Sequence, residues 1–314
     1  MKTVLAALLA LTLAACAQPQ VNPRGPAVRA SALTVENFEM ADGARLAYRR
    51  WSPDAGEPKA VILALHGFND HSRSWEMPAE NWAKVGIATY AYDQRGFGRS
   101  PAAGIWPGTE SLVEDLREAI GALRARHPHA PIFVAGESMG GAVIMAAHRA
   151  GALADTRGAI LGAPAVRGRE TLTLWSRFWL WALAHTVPGF APTVEGTGIR
   201  PSDNIPMLRE LGRDPLVIKR TRVDSLYGLV GLMDDAFAAA SAFDAPALIL
   251  VGANDNLIPD TAMRAMLEIL PPVPPVERRV ETYPGGYHML FRDLARGRVH
   301  DDVARWVLER TPPR

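Results

Sequence analysis

The feature that most constrains the fold is a series of short, almost purely apolar runs spaced along the chain. Runs such as Ala60–Leu65 (AVILAL) and Ile87–Tyr92 (IATYAY) are apolar at nearly every position rather than at alternate ones. Strands of that kind are buried on both faces, as in a parallel sheet covered by helices on both sides. Amphipathic stretches separate the runs, so the pattern predicts alternating strands and helices in an α/β fold. The other predicted strands cover Leu33–Met40, Arg45–Trp51, Pro131–Ala135, Gly158–Gly162, Ala247–Val251 and Val276–Tyr283.

The alternation is interrupted once, between the predicted strands at Gly158–Gly162 and Ala247–Val251. This long stretch has no clear strand, but it contains a segment dense in tryptophan and leucine at Thr171–Thr186 and a helical pattern at Arg222–Ala242. We therefore predict a mostly helical cap, about residues 165–243, inserted after the sixth strand of the sheet. The remaining predicted helices cover Ser74–Val85, Thr109–His127, Met139–Ala150, Asp260–Leu270 and Arg298–Arg310.

The amino terminus has the pattern of an export signal. Lys2 is followed by an apolar run at residues 3–15, which is too short to span a bilayer as a helix and has the length of the apolar core of a signal peptide. The run ends Leu-Ala-Ala-Cys16, which resembles the lipobox of bacterial lipoproteins, where the cysteine carries lipid after cleavage. Cys16 is the only cysteine among 314 residues, and it falls where a lipobox requires one. An ordinary secretory signal with a cysteine at its cleavage site is the alternative.

These features predict an exported protein that acyl chains hold at the periplasmic face of a bacterial membrane, with the outer membrane as the expected location. Residues 1–15 form the predicted signal peptide, residues 16–30 a flexible tether, and residues 31–314 the folded domain. The tether is predicted because prolines and a glycine occur there without apolar periodicity.

Composition narrows the classes of function. Lys and Arg total 34 against 33 Asp and Glu, and the net charge of +1 gives no electrostatic case for nucleic-acid binding. A single cysteine excludes a cysteine-cluster metal site and an internal disulfide framework. His66 and His71 lack the spacing and partners of a zinc site. The sequence predicts no metal and no cofactor.

The segment GESMG at residues 136–140 is a G-x-S-x-G motif. It follows the predicted strand PIFVA and precedes a helical segment rich in small residues, which is the strand–turn–helix setting of a nucleophile elbow. The flanking glycines are needed because side chains at the sharp turn would collide. Ser138 is therefore the predicted nucleophile, and the alternative is an ordinary serine in a glycine-rich turn.

Two later loops carry an acid and a histidine. Asp255 comes just after the penultimate predicted strand, whereas Asp260 is better placed as a helix N-cap and Asp244 precedes the strand. His288 follows the last predicted strand, in a loop from which a base could reach Ser138. The chain order serine, acid, histidine matches the catalytic triad that accompanies a nucleophile elbow. A loop histidine without a catalytic role is the alternative for His288.

An oxyanion hole needs two backbone N–H donors, one from the residue after the nucleophile and one from a loop that follows an earlier strand. That loop is HGFND at residues 66–70, directly after AVILAL. These positions predict Met139 and Phe68 as the donors. His66 precedes the serine in the chain, so we predict that it orders its loop rather than acting as the base.

Five segments carry motifs that occur together in one superfamily: HGFNDHSRSW at 66–75, DQRGFGRS at 93–100, GESMGG at 136–141, GANDNLIP at 252–259 and YPGGYH at 283–288. With them, the chain resembles the α/β-hydrolase superfamily, and within it the monoacylglycerol lipase and lysophospholipase group. The resemblance covers residues 31–314 and implies a mostly parallel eight-stranded sheet flanked by helices. Relatives often have glycine and glutamate where this chain has Asn69 and Asp70, and histidine in place of Phe97.

The cap is expected to determine the substrate. Trp175, Phe178 and Trp179 share one helical face at i, i+3 and i+4 spacing. That face could pack on the catalytic domain as core, line an acyl-chain tunnel, or form a lid that touches lipid. We name these three residues as candidate substrate-binding residues.

The predicted function is hydrolysis of a lipid-like carboxylic ester, a monoacylglycerol or a lysophospholipid, through a Ser-His-Asp acyl-enzyme mechanism. The expected partners are the lipid ester and the membrane that holds the anchor. One alternative is a serine aminopeptidase of the same fold, which needs an acidic pocket for the substrate amine. A non-catalytic binding lipoprotein is the other. The sequence leaves the oligomeric state open.

Overall fold

The chain forms a mixed sheet with helices on both of its faces. The computed structural model describes residues 17–54, 56–166, 168–192, 198–274 and 277–312. The predicted signal peptide, residues 1–15, and the predicted lipidation site Cys16 lie outside the described residues. Within these ranges, nine strands pair in the order β1-β2-β3-β5-β4-β6-β7-β8-β9. They are β1 (Ala32–Leu33), β2 (Asn37–Glu39), β3 (Arg45–Trp51), β4 (Ala60–Leu65), β5 (Ile87–Tyr92), β6 (Ile132–Glu137), β7 (Gly158–Gly162), β8 (Ala247–Gly252) and β9 (Arg278–Tyr283).

Strands β4 to β9 run parallel to one another, whereas β1, β2 and β3 pair antiparallel at one edge and β3 joins β5 antiparallel. Every residue of β4, β5, β6 and β7 is buried, as the continuous apolar runs predicted. In β4, Val61, Leu63 and Leu65 belong to one apolar core. Ile62 and Ala64 belong to a second core. Because side chains alternate along a strand, the two cores cover opposite faces of the sheet.

Eight α-helices occur among the described residues: α1 (Glu76–Lys84), α2 (Thr109–Arg126), α3 (Met139–Arg149), α4 (Leu174–Thr186), α5 (Ile205–Arg213), α6 (Val223–Ala240), α7 (Asp260–Ile269) and α8 (Arg296–Glu309). Short 3₁₀ turns precede α1 at Ser72–Trp75 and α4 at Arg169–Thr171. Within the described ranges, no helix combines the length and apolar character that a membrane crossing requires.

The predicted first strand, Leu33–Met40, is two strands in the structure. Residues 34–36 turn the chain back, and the Thr34 side chain accepts a hydrogen bond from the Asn37 backbone N–H at 3.1 Å. As a result β1 and β2 pair antiparallel, with Leu33 opposite Phe38. The sheet therefore has nine strands rather than eight, because a threonine side chain and a turn replace ladder hydrogen bonds in the middle of the predicted run.

The segment predicted as a flexible tether is docked on the domain over its described part, residues 17–30. Val21 forms a β-bridge with Trp106, and the Arg24 guanidinium pairs with Glu118 on α2. The Gln20 backbone N–H donates to Asp224 of α6 at 3.1 Å. The prediction of a free tether missed these polar contacts because they depend on partners that are distant in sequence.

The predicted cap is an insertion between β7 and β8 that contains α4, α5 and α6. Helix α6 packs on both α3 and α4, so the cap is attached to the helix that follows the nucleophile turn. Two backbone hydrogen bonds fasten it to strand-end loops: Ile218 N–H to Asn69 O at 2.9 Å, and Met289 N–H to Pro201 O at 2.8 Å.

Candidate active site

The predicted catalytic residues follow the carboxyl ends of parallel strands. Phe68 lies after β4, Ser138 directly after β6, Asp255 after β8 and His288 after β9. Because these strands are parallel, their carboxyl ends meet at one edge of the sheet, which is where ligands bind in open α/β sheets. The fold therefore gathers side chains that are up to 220 residues apart in sequence, from position 68 to position 288.

Ser138 occupies a strained turn between β6 and α3. Its φ is 53° and its ψ is −113°, a left-handed conformation that costs a residue with a side chain about 1–3 kcal/mol. The turn packs so closely on β4 that a Cβ on Gly140 would lie 2.2 Å from the Leu65 carbonyl oxygen. This is the backbone of a nucleophile elbow, and it explains why the motif requires glycine after the serine.

Asp255 and His288 form a buried hydrogen bond of 2.8 Å between Oδ2 and Nδ1. The other carboxylate oxygen, Oδ1, accepts the backbone N–H groups of Leu257 and Ile258 at 2.8 and 3.0 Å. Since an ionised carboxylate only accepts hydrogen bonds, this contact requires a proton on His288 Nδ1 when Asp255 is ionised. A Cβ on Gly252 would lie 2.4 Å from the Tyr287 carbonyl oxygen, so only glycine lets the two loops approach this closely.

Ser138 and His288 line the same cavity, which has a volume of about 510 Å³. Both residues are almost completely buried, with exposed fractions of 9% for Ser138 and 3% for His288. Catalytic hydrogen bonds are often long before substrate binds, so the geometry is compatible with proton transfer between the two.

The two predicted oxyanion donors flank the serine. Met139 is the first residue of α3, and the N–H groups of a first helical turn have no acceptor within the helix. Phe68 lines the cavity. A Cβ added to the preceding Gly67 would lie 3.5 Å from the Ser138 Cβ, so this loop runs close to the serine. Both residues therefore lie close to Ser138, and their roles as oxyanion donors stay predictions.

His66 uses both ring nitrogens to order its loop, as predicted. Nδ1 lies 2.8 Å from the Gly67 carbonyl oxygen, and Nε2 accepts the Gln94 backbone N–H at 3.0 Å. Complete burial lowers the pKa of the imidazole, although the Gly67 carbonyl opposes this, so His66 is neutral and holds the loop of Phe68 against the loop that follows β5.

The geometry above agrees with comparisons to known proteins. A family model described as serine aminopeptidase, S33, matches residues 56–295, which is more than half of the chain. The chain belongs to this family. It has the α/β-hydrolase fold, with a mostly parallel sheet flanked by helices.

Two relatives of this S33-family chain and one solved structure match most of its length. A monoacylglycerol lipase of Mycolicibacterium smegmatis is 28% identical over 284 residues, which is 87% of this chain and 96% of the relative. The human monoglyceride lipase is 26% identical over 285 residues, covering 86% of this chain and 89% of the relative. A solved structure of a soluble variant of Saccharomyces cerevisiae monoglyceride lipase superposes with a TM-score of 0.75 at 18% identity, covering 93% of this chain and 99% of that one.

Asn69 is a site residue of this S33-family hydrolase whose role the sequence did not reveal. Its φ is 65°, in the left-handed region that glycine and asparagine adopt most readily, which explains why asparagine suits this position. Its side-chain amide donates to Thr221 Oγ1 in the cap at 2.6 Å. Together with the Ile218 backbone bond, this contact ties the loop of Phe68 to the cap. The departure from glycine was the signal for this role.

Sequence reasoning also missed a buried charge cluster of Asp70, Glu137 and Arg292. Arg292 Nη2 lies 2.8 Å from both Asp70 Oδ2 and Glu137 Oε2. Burial opposes the charge on Arg292, but the two carboxylates outweigh it and raise its pKa. Burial raises the pKa of the Glu137 carboxyl, although Arg292 opposes this. The cluster joins the loop of Phe68, the nucleophile turn and the loop of His288, and the three residues are scattered too widely in sequence to form a motif.

The candidate substrate-binding residues Trp175, Phe178 and Trp179 do not line the cavity. Their exposed fractions are 69%, 52% and 43%, so this face of α4 is neither core nor tunnel. Among the described residues, α4 instead turns Ser176 and Leu180 toward the cavity. The exposure of these side chains argues against the core and tunnel interpretations, and the interpretation as a lid surface stays a prediction. Periodicity identifies an apolar stripe without showing which side of the helix meets the protein.

Proposed function

We propose that this chain is a serine hydrolase that cleaves the carboxylic ester of monoacylglycerol-like lipids. The relatives from Mycolicibacterium smegmatis and human are named for that activity, and each aligns with most of this chain. The positions of Ser138, Asp255 and His288 support a Ser-His-Asp mechanism in which no metal or cofactor takes part.

In the proposed reaction, His288 Nε2 takes the proton of Ser138 as Oγ attacks the ester carbonyl carbon. The bond from that carbon to the alcohol oxygen then breaks, and His288 returns the proton to the leaving alcohol. Asp255 holds the Nδ1 proton and stabilises the imidazolium. The N–H groups of Phe68 and Met139 stabilise the oxyanion, and losing one such donor costs about 3 kcal/mol in comparable sites. Water releases the acyl group from Ser138 by the same two steps.

The observation that carries the proposal is the cavity that opens at Ser138. Apart from Ser176 and Thr221, its cap side is lined by apolar side chains, whereas its charged groups lie at the strand-end loops. An acyl chain would bury its methylene groups on the cap side, at roughly 0.8 kcal/mol for each. The apolar side chains that would contact it include Leu172, Leu180, Leu229, Val230, Met233 and Ile258.

The charges around the cavity favour an uncharged head group. Within the described residues, Arg292 is the only arginine or lysine that lines it, and both of its carboxylate partners are within 2.8 Å. A phosphate in this position would meet two carboxylates as well as one guanidinium. We therefore favour a monoacylglycerol over a lysophospholipid as the substrate.

Aminopeptidase activity is the second candidate, because the family description names it and one structural feature would suit it. Glu137 lines the cavity, and its Oε1 atom is buried with no hydrogen-bond partner among the described residues. A substrate amine could donate to this oxygen. Against this, the other oxygen of Glu137 is already bound to Arg292.

We also propose that the chain is exported and held at a bacterial membrane through lipid on Cys16. The proposal rests on the apolar run at residues 3–15 and on the position of the single cysteine. Cells fed labelled palmitate should label the wild-type chain but not Cys16→Ala. Label that persists in Cys16→Ala would contradict the anchor.

The substrate proposal is tested with a hydrolysis panel on the purified full chain. The panel contains a monoacylglycerol, lysophosphatidylcholine, p-nitrophenyl esters of increasing acyl length, and aminoacyl anilides. Each is measured with wild type, Ser138→Ala and the control Ser176→Ala, which removes a different serine from the same cavity. We expect hydrolysis of the monoacylglycerol to be fastest, to persist in Ser176→Ala and to be lost in Ser138→Ala.

Each contrary outcome identifies the part of the proposal that fails. Equal ester hydrolysis by wild type and Ser138→Ala would remove Ser138 as nucleophile. Anilide cleavage without ester cleavage would favour the aminopeptidase. Lysophosphatidylcholine cleaved faster than monoacylglycerol would contradict the argument from cavity charge.

A further inference from the structure

A short segment of the cap, residues 198–204, lies against the loops that follow β8 and β9; we call it the clamp segment. Its Arg200 N–H donates to the side-chain oxygen of Asn256, next to the proposed acid, at 3.2 Å. Its Pro201 carbonyl accepts the N–H of Met289, next to the proposed base, at 2.8 Å. The clamp segment thus joins the cap to both loops of the proposed catalytic pair.

Asp293 joins the clamp segment to the other side of the proposed base. Its side chain is buried, with an exposed fraction of 2%. Oδ1 accepts the Ser202 hydroxyl at 2.6 Å, and Oδ2 accepts the Tyr287 backbone N–H at 2.8 Å. Tyr287 directly precedes His288, and Met289, which follows it, is bonded to the clamp segment. The backbone is therefore held on both sides of His288.

The bond from Ser202 to Asp293 has the length of a charge-assisted hydrogen bond. A hydroxyl lies about 2.5–2.7 Å from an ionised carboxylate to which it donates, and the observed distance falls in that range. Burial raises the pKa of the Asp293 carboxyl, although the bonds from Ser202 and Tyr287 oppose this. The Ser202 oxygen also accepts the Asn204 backbone N–H at 3.1 Å, which fixes the direction of its hydroxyl. A carboxylate suits this position because its two oxygens accept two donors at once.

The position of this loop determines where the imidazole of His288 lies. The ring reaches Asp255 at 2.8 Å, and it can rotate about only two side-chain bonds, so a shift of the backbone moves the ring with it. A misplacement of about 1 Å at a reacting group can lower a rate about 100-fold. Bonds that hold the neighbours of His288 can therefore affect the reaction without touching the substrate.

We infer that Asp293 and Ser202 are positioning residues for His288. They hold its loop so that the imidazole stays aligned with Asp255 and Ser138. The inference rests on the proposed function, because that function makes His288 the base. Within the described residues, neither side chain lines the cavity, so both act through the loop.

The test uses three variants of the full chain. Ser202→Ala removes the hydroxyl, and Asp293→Asn leaves one acceptor oxygen in place of two. The control is Asp203→Ala, which removes a 2.8 Å bond from the clamp segment to the Leu294 N–H, farther along the same loop. Circular dichroism shows whether each variant is folded. If Asp293→Asn does not fold, Ser202→Ala, which loses only a hydroxyl, decides the test.

The first measurement is a proton NMR spectrum recorded without substrate. The Nδ1 proton between His288 and Asp255 should give a resonance far downfield, which is assigned by its absence in His288→Gln. We expect this resonance to shift or broaden in Ser202→Ala and Asp293→Asn and to stay unchanged in Asp203→Ala. The same resonance in every variant, or an equal change in the control, would overturn the inference. A wild type without the resonance would also overturn it, because no ordered pair would then exist.

The second measurement is the hydrolysis of a p-nitrophenyl ester. In Ser202→Ala and Asp293→Asn, kcat should fall about tenfold while KM changes less than about twofold, because the side chains that line the cavity are unchanged. An unchanged kcat would overturn the inference, and so would a rise in KM alone, which would place the effect in substrate binding. If the wild type hydrolyses no ester, the proposed function fails and the resonance alone decides the inference.

Discussion

At the strand ends, polar side chains are buried and bound on several sides, whereas on α4 the largest apolar side chains face outward. Asp255 accepts hydrogen bonds from His288, Leu257 and Ile258, and its side chain is almost completely buried. Trp175, by contrast, is 69% exposed and contacts its neighbours on the same helix. Both arrangements reverse the usual preference for polar residues outside and apolar residues inside.

Buried polar contacts at the strand ends and an exposed apolar surface on α4 suit two different tasks. Proton transfer requires atoms held within tenths of an ångström, which several buried hydrogen bonds provide. The proposed function also includes capture of a lipid, which requires an apolar surface that is available before the substrate arrives. We therefore expect substitutions at the strand ends to change rate and stability strongly, and substitutions of the exposed Trp175, Phe178 and Trp179 to change both little.

The largest effect should come from Asp255→Asn. The amide can still accept from Leu257 and Ile258, but it no longer holds the proton of His288 on Nδ1. By analogy with serine proteases, kcat/KM for an ester should fall about 10⁴-fold. The control is Asp260→Asn, which removes the exposed acid that begins α7 and pairs with Arg264. Similar activities of the two variants would show that Asp255 has no special role in catalysis.

Arg292→Met should destabilise the folded chain by about 3–5 kcal/mol, because Asp70 and Glu137 would be left buried without their cation. Chemical denaturation measures this loss. Arg298→Met, at an exposed position on α8, should leave the unfolding free energy nearly unchanged. Adding Glu137→Gln to Arg292→Met should recover part of the lost unfolding free energy. If the double variant is as unstable as Arg292→Met alone, packing rather than charge holds these loops together.

Acidification below about pH 6.5 should destabilise the chain. Burial lowers the pKa of His66, His127 and His300, so below about pH 6.5 the unfolded chain binds protons that the folded chain does not. The unfolding free energy then falls as pH falls, by at most about 1.4 kcal/mol per pH unit for each group. The slope should shrink in His300→Gln and persist in His129→Gln, which changes an exposed histidine. A flat profile would show that these imidazoles titrate normally.

The smallest effect concerns Asn69, which links the two regions. Asn69→Gly keeps the left-handed backbone but loses the bond to Thr221, so denaturation should show a loss of about 1 kcal/mol. Thr221→Val should match it. Asn69→Ala should cost more, because alanine adds strain at a φ of 65°. If Asn69→Gly proves more damaging than Asn69→Ala, the backbone argument fails.

Much of the fold could be predicted from the chain alone, because each central strand is a continuous apolar run. The two strands at residues 32–39 could not be predicted, because the Thr34 side chain and a turn divide a stretch that the sequence pattern assigns to one strand. The docking of residues 17–30 was missed for a related reason: its contacts with Trp106, Glu118 and Asp224 depend on distances that only the folded chain creates.

The site also contains some residues that local motifs predict and others that no local motif predicts. Ser138, Asp255 and His288 stand in local motifs at strand ends, so position alone predicted them. The cluster of Asp70, Glu137 and Arg292 has no local pattern. The aromatic stripe on α4 was visible, but its orientation depends on which side of the helix packs against α6, and periodicity does not encode that.

The most direct test of the central claim is to look for the acyl-enzyme. Wild-type protein turning over a monoacylglycerol is quenched in acid, digested and analysed by mass spectrometry. The account predicts an acyl group on the peptide that contains Ser138, with a mass that follows the acyl chain supplied, and no such adduct in Ser138→Ala. Continued hydrolysis with the acyl group on another residue, or with the same adduct in Ser138→Ala, would contradict it.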